Sequence, residues 1–187
     1  MTVFYLVRHA HAVWTPDEDR PLSERGQRDA LRVAELLCAR SIAALYASPA
    51  RRAWQTVAPL AERLGLPIQV EPALNERRLS ADPVPASAFQ AAVRATFADQ
   101  GFAHPGGETN AAAQARGWAA VRSLVRQWPE AQIVLGTHGV LLTLIVQGFL
   151  PGYGYSFWRA LTMPDIYRLD LPGAPALERV WIPRKAE

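Results

Sequence analysis

Val3-Phe4-Tyr5-Leu6-Val7, ended by Arg8-His9, is an unbroken apolar run made almost wholly of β-branched and aromatic residues. A run this short and continuous reads as a buried strand. After a polar loop with Pro16 and Pro21, the spacing of Ala30, Val33, Ala34 and Leu37 predicts a helix with Ser23 as N-cap, running to about Arg40. The alternation then repeats. Residues 43–47 read as a strand, 50–64 as a helix stopped by Gly65 and Pro67, and 68–70 as a strand. Residues 77–106 carry a helix near 86–99 and a turn at Pro105-Gly106-Gly107. A helix over 110–128 leads to a strand over 132–135, a turn at Gly136-Thr137-His138-Gly139 and an apolar helix over 140–150. Two short strands, 166–171 and 177–182, flank Pro172-Gly173. Strands alternating with helices give an α/β fold, three layers α/β/α around a mostly parallel central sheet, with an antiparallel hairpin at an edge near the C-terminus.

Composition bounds the rest. The chain has 187 residues, half of them hydrophobic. That length suits one domain over residues 1–187, and no repeat or composition break marks a second. With Cys38 as the one cysteine, no internal disulfide forms. No signal peptide is evident, and no apolar stretch approaches the roughly 20 residues that cross a bilayer, so a soluble, cytoplasmic protein without a membrane partner is expected. Lys185 is the single lysine and every other basic residue is arginine, which excludes a Walker phosphate loop or an internal Schiff base. The net charge is +3. Yet the arginines are interspersed with Asp and Glu along predicted helices, so no nucleic-acid partner is expected.

In an open α/β sheet, ligands bind beyond the carboxyl ends of the strands. His9 and His138 both fall there, and Arg52 opens a helix just after the second strand. The expected pocket therefore holds Arg8, His9, Arg52 and His138. Arginine forks match the oxygens of a phosphate. An imidazole kept neutral among such cations is a nucleophile toward phosphorus, and phosphoryl transfer asks mainly for positioning and charge neutralisation.

These residues resemble a known family. Leu6-Val7-Arg8-His9-Ala10 is similar to the Arg-His-Gly signature of the histidine phosphatase superfamily, the phosphoglycerate-mutase-like enzymes of branch 1. Pro21-Leu22-Ser23-Glu24-Arg25-Gly26 resembles its Pro-Leu-Ser/Thr-x-x-Gly element, and Ser48-Pro49 through Thr56 its Ser-Pro-x-x-Arg-Ala-x-x-Thr helix start. Leu74-Asn75-Glu76 resembles the segment carrying the family's acid, Pro105 through Thr109 its Gly-Glu-Ser turn, and Thr137-His138-Gly139 its Ser-His-Gly. The matches run in family order from residue 3 to about 150.

The resemblance implies that His9 takes the phosphoryl group and that water then hydrolyses the phosphohistidine. Arg8, Arg52 and His138 would bind the phosphate oxygens, with Thr15 and Gly139 completing the substrate contacts. Glu76 would protonate the leaving oxygen and then help to activate water. No metal and no cofactor is implied. The partner would be a small phosphorylated substrate, and since related enzymes are often dimers, a homodimer is among the expectations.

Ala10 in place of glycine, His11-Ala12 in place of Glu-Thr, and Thr15 in place of asparagine depart from the mutases. Together with the short chain they favour a phosphatase over a mutase. Other readings stand beside this one. Glu108 is the reserve general acid, or simply opens the following helix; Arg51 is a solvated neighbour of Arg52. Cys38 reads as an inert core thiol, and Trp14, Tyr153, Tyr155, Phe157 and Trp158 as core rather than a substrate rim. His9-Ala10-His11 would suit a metal hydrolase if both imidazoles shared one face. A non-catalytic module binding phosphorylated ligands is the remaining alternative.

Overall fold

The computed structural model describes residues 1–15, 19–171 and 173–183. Pro16, Pro172 and Lys185, which entered the sequence reading, lie outside them. The strands are β1 (Thr2–Arg8), β2 (Ile42–Ala47), β3 (Ile68–Val70), β4 (Gln132–Thr137), β5 (Asp165–Leu171) and β6 (Ala176–Arg179). They form one sheet in the order β3-β2-β4-β1-β5-β6. Pairings β1·β4, β2·β4 and β2·β3 are parallel, whereas β5 runs antiparallel to β1 and β6 antiparallel to β5. The last hairpin thus reaches the edge only through β6, since β5 is enclosed by β1.

The apolar run of β1 is buried because the sheet is covered on both faces. Phe4 and Leu6 point into a core with Leu135, Leu141, Leu144 and Val121, whereas Val3, Tyr5 and Val7 point into another with Val33, Leu37, Val57 and Leu60. Helices α1 (Glu24–Leu37) and α2 (Arg51–Leu64) cover the second face. On the first lie α3 (Ala86–Ala98), α4 (Asn110–Gln127), α5 (Gly139–Phe149) and α6 (Tyr155–Ala160). This is the three-layer α/β/α architecture.

The helix punctuation follows local chemistry. Ser23 caps α1 by accepting from the Gly26 N–H. Gly65, at φ 65°, ends α2 in the left-handed region, returning its N–H to the carbonyls of Ala61 and Glu62. Four details depart from expectation. Helix α1 stops at Leu37, where its apolar stripe ends, so Cys38 is a partly exposed C-cap residue rather than a core thiol. Strand β4 continues through Gly136 and Thr137, read as a turn, because both still pair with β1. The aromatic segment after residue 152 forms α6, with Trp158 buried and Tyr153, Tyr155 and Phe157 packed on the core, while Trp14 is 69% exposed. Strand β6 ends at Arg179 because the next two N–H groups, of Val180 and Trp181, both converge on the Ile166 carbonyl. No helix among the described residues is long and apolar enough to cross a membrane.

Candidate active site

The register of two strands brings the histidines together. Arg8 of β1 lies opposite Thr137 of β4, and the His9 N–H continues the ladder to the Thr137 carbonyl at 2.9 Å. His9 and His138 therefore leave adjacent strand ends side by side. Their rings meet edge to face with centroids 5.2 Å apart. Strand β2 ends alongside: the Ser48 N–H bonds to the Gly136 carbonyl, and α2 begins three residues later with Arg51 and Arg52.

His9 is held in one protonation state and one tautomer. Its Nδ1–H donates to the Ala10 carbonyl at 2.8 Å, which leaves the lone pair on Nε2. Burial first, and then the charges of Arg52, Arg8 and Arg20, push its pKa from 6.5 down to about 3, against the opposing effect of the Ala10 bond. His9 is consequently a neutral imidazole through the physiological range. His138 is fully enclosed and is also held well below the ordinary value, by burial and then by His9, Arg52, Arg8 and Arg116.

Each cation is fixed by structure around it. The Arg8 Nη1 donates to the carbonyls of Leu161 (3.0 Å) and Thr162 (3.4 Å), while its Nε is buried with no hydrogen-bond partner among the described residues. Gly139 makes room for that guanidinium, since a Cβ there would lie 3.0 Å from Nε and 3.1 Å from Cζ. The 161–165 segment is in turn held by Asp165, a fully buried carboxylate that takes Arg179 at both oxygens, 2.9 and 2.6 Å, and the Thr162 N–H. Arg52 sits at the start of α2, whose first turn is tied to the β1 exit by Thr56. The Thr56 hydroxyl donates to the Arg52 carbonyl and accepts the Ala10 N–H at 2.9 Å. Arg51 is exposed and faces Asp19 at 3.5 Å, so the arginine near the histidines is Arg52. Ala10 fits without strain: Glu130 is the one described non-glycine residue with positive φ, and the Ala10 methyl is buried with Leu22 and Ala30.

The two candidate acids separate cleanly. The Glu76 carboxylate accepts the N–H groups of Arg77 (2.9 Å), Val140 (3.1 Å) and Leu141 (3.0 Å), which places it at the positive end of α5, next to His138 and Gly139. Its charge also acts on Arg8. Glu108 is instead gripped by Arg116, with contacts of 2.8 and 2.9 Å, and the helix-opening role belongs to Thr109, whose Oγ1 caps α4. Arg116 also donates to the Ala73 carbonyl, and the Thr137 hydroxyl to that of Leu74, so the 3₁₀ turn Pro72–Leu74 delivers Asn75 and Glu76 in fixed positions.

Thr15 lies partly buried on the loop after β1. His11 is exposed and bonded to Ser23 at 2.9 Å, so it does not share an enclosed face with His9. Among the described residues no group of three or more His, Cys, Asp or Glu side chains is arranged to hold a metal ion. Two arginines were missed by the sequence reading. Arg20 acts on His9, lies 6.0 Å from the Trp14 ring and has a buried Nε with no partner among the described residues. Arg77 is 3% exposed and lies within the field of Glu76 and Glu108. No periodicity in a proline-bounded loop marks either.

Comparison with known proteins agrees with this arrangement. The model of the histidine phosphatase superfamily (branch 1) matches residues 4–169. A mycobacterial glucosyl-3-phosphoglycerate phosphatase, solved with inorganic phosphate, is 26% identical over 95% of this chain and 94% of its own, with a TM-score of 0.78. A second mycobacterial structure, hydrolase 1, is 26% identical over 95% and 96%, with a TM-score of 0.76. The phosphoserine phosphatase of Entamoeba histolytica shares the fold, with a TM-score of 0.80 over 95% of both chains at 18% identity. No curated protein matches the sequence. With the motifs in family order and two histidines and two arginines gathered at the strand ends, the chain belongs to the histidine phosphatase superfamily, branch 1, as an enzyme of that family.

Proposed function

We propose that the chain hydrolyses small phosphomonoesters through a phosphohistidine on His9. The observation that carries this reading is the His9 ring: neutral, with Nδ1–H committed to Ala10 and Nε2 left as the nucleophile. In the first step Nε2 attacks phosphorus, the bond to the ester oxygen breaks, and the leaving oxygen takes a proton from Glu76. In the second, water attacks phosphorus, the P–N bond breaks, and Glu76 recovers a proton from the water. Arg8, Arg52 and His138 neutralise the charge on the phosphoryl oxygens throughout, with Thr15 and the Gly139 backbone at the rim. The first turn of α5, where Gly139 begins the helix, adds its own positive field.

Hydrolysis rather than transfer is favoured by the relatives above 25% identity, which include a phosphatase solved with phosphate. The substrate class is a small metabolite carrying one phosphoryl ester, and no metal or cofactor enters either step. The test is hydrolysis of an aryl phosphate by the wild type and by His9→Ala, each with and without a chelator. Chelator-resistant activity that vanishes in the variant is the expected result. Chelator-sensitive activity would overturn the reading in favour of a metal hydrolase.

A further inference from the structure

We infer that Ser48 and Asn75 are positioning residues that hold His138 with its proton on Nε2 and a bare Nδ1, so that a phosphate dianion enters the site together with a proton. The inference rests on a count of hydrogens. Ser48 Oγ has a single hydrogen and three neighbours: the Ala50 N–H at 3.1 Å, His138 Nε2 at 2.9 Å and Asn75 Oδ1 at 2.7 Å. An amide oxygen only accepts, so the hydroxyl hydrogen goes to Asn75. The lone pairs of Ser48 Oγ are left for the Ala50 N–H and for His138, and His138 must then carry its hydrogen on Nε2. Its Nδ1 is buried with no partner among the described residues.

The consequence follows from the charges around the ring. Facing His138 are His9 and Arg8 from β1, Arg52 from α2, Arg116 from α4 and Glu76 from the segment after the 3₁₀ turn; α5 itself carries no charged residue. Arg116 is partly offset by its pairing to Glu108. In the ligand-free site burial, and then this surplus of positive charge, keeps His138 neutral. A neutral ring of this tautomer has nothing to donate from Nδ1. For His138 to donate to an unprotonated phosphate oxygen, a proton from solvent must bond to Nδ1 as the dianion arrives, giving an imidazolium with both nitrogens donating. The ligand then contributes the negative charge that the proton needs.

The tautomer stands on the geometry of the ligand-free site alone, whereas the proton uptake also rests on the proposed phosphate chemistry. Two measurements keep the two apart. Long-range proton–nitrogen correlation spectra of the ¹⁵N-labelled full chain report the tautomer of each of its 4 histidines, with His138 assigned by its loss in His138→Gln. The neutral Nε2–H form is expected in the wild type and in Asn75→Asp, whose carboxylate keeps the acceptor. In Asn75→Leu, Ser48 loses that acceptor and turns its hydrogen to Nε2, so the proton should move to Nδ1. Calorimetric titration with inorganic phosphate at pH 8, in two buffers of different ionisation heat, should give uptake of about one proton per phosphate in the wild type and in Asn75→Asp, and markedly less in Asn75→Leu. An Nδ1–H ring in the ligand-free wild type, as would follow if the Asn75 amide were turned over, overturns the inference. So does phosphate binding without proton uptake. Failure of phosphate to bind at all would count against the phosphatase reading, while the spectra still decide the roles of Ser48 and Asn75. If Asn75→Leu does not fold, the wild type and the isosteric Asn75→Asp decide it.

Discussion

Replacing His9 with glutamine should flatten the acid side of the stability curve. In the folded chain burial, followed by Arg52, Arg8 and Arg20, takes the imidazole from 6.5 to about 3. Between those values the unfolded chain binds a proton that the folded chain refuses, so stability rises with pH and is fully present only above the unfolded value. At pH 5 the unfolded ring is almost wholly protonated and the folded ring almost wholly neutral, which costs about 2 kcal/mol relative to pH 7.5. Because the ring is partly exposed, that figure is an upper value. Glutamine cannot protonate, so the variant loses this contribution and keeps the one from His138, which has the same sign. Urea denaturation of both proteins at pH 7.5 and pH 5 measures the difference directly. The wild type should lose up to about 2 kcal/mol more than the variant on acidification. Equal losses would mean that His9 is not held neutral by its surroundings, and the argument for it as the nucleophile would fall with that result.

Gly139→Ala should lower kcat/KM for an aryl phosphate by about tenfold or more, mostly through KM, because the new methyl displaces the Arg8 guanidinium. An unchanged KM would remove Arg8 from substrate binding. Glu76→Gln should slow an alkyl phosphate by about 10²- to 10⁴-fold and an aryl phosphate, with its better leaving group, by less; equal losses on both would argue against proton donation. Arg20→Gln should raise KM several-fold without unfolding the chain, and a steady-state comparison with Arg51→Gln, expected to be near neutral, controls for lost surface charge. Arg179→Met leaves the Asp165 carboxylate buried and unpaired, which should cost about 3–5 kcal/mol of stability, less whatever solvent at Arg179 already screens. A loss under 1 kcal/mol by urea denaturation would show that the pair does not hold that segment.

Much of the fold was legible because apolar spacing reports burial directly. The β1 run is continuous since both sheet faces are covered, and Ala30, Val33, Ala34 and Leu37 recur at helical spacing since one face of α1 is covered. The placement of His9 and His138 at strand ends was equally legible, because the end of an apolar run marks the end of a strand. Their proximity depends on β1 lying next to β4, which no local pattern encodes. Residues whose burial or exposure is set by distant partners were missed or misread for the same reason. Arg77 is charged and flanked by charge, yet it is enclosed, and Trp14 is aromatic, yet it stands in solvent. Glu76 was ranked ahead of Glu108 on motif position alone, since what separates them structurally is a partner eight residues later in the chain in one case and the first turn of α5 in the other. Helix α6 was hidden because aromatics crowd a segment too short to display a period.

The dependence of Arg8 on the carbonyls of Leu161 and Thr162, across 153 residues of chain to the first of them, has a consequence for biosynthesis. Strand β1 is made first, but both of its neighbours, β4 and β5, are made late. While the ribosome works through the intervening helices, a naked apolar strand has no edge to join, and that is the period when intermolecular pairing threatens most. A contact so distant in sequence also slows folding, because loop-closure entropy is spent before the contact forms. A fragment ending before residue 161 would contain His9 without the grip on Arg8. The guanidinium of Arg8 thus takes its place only after residue 162 has been made.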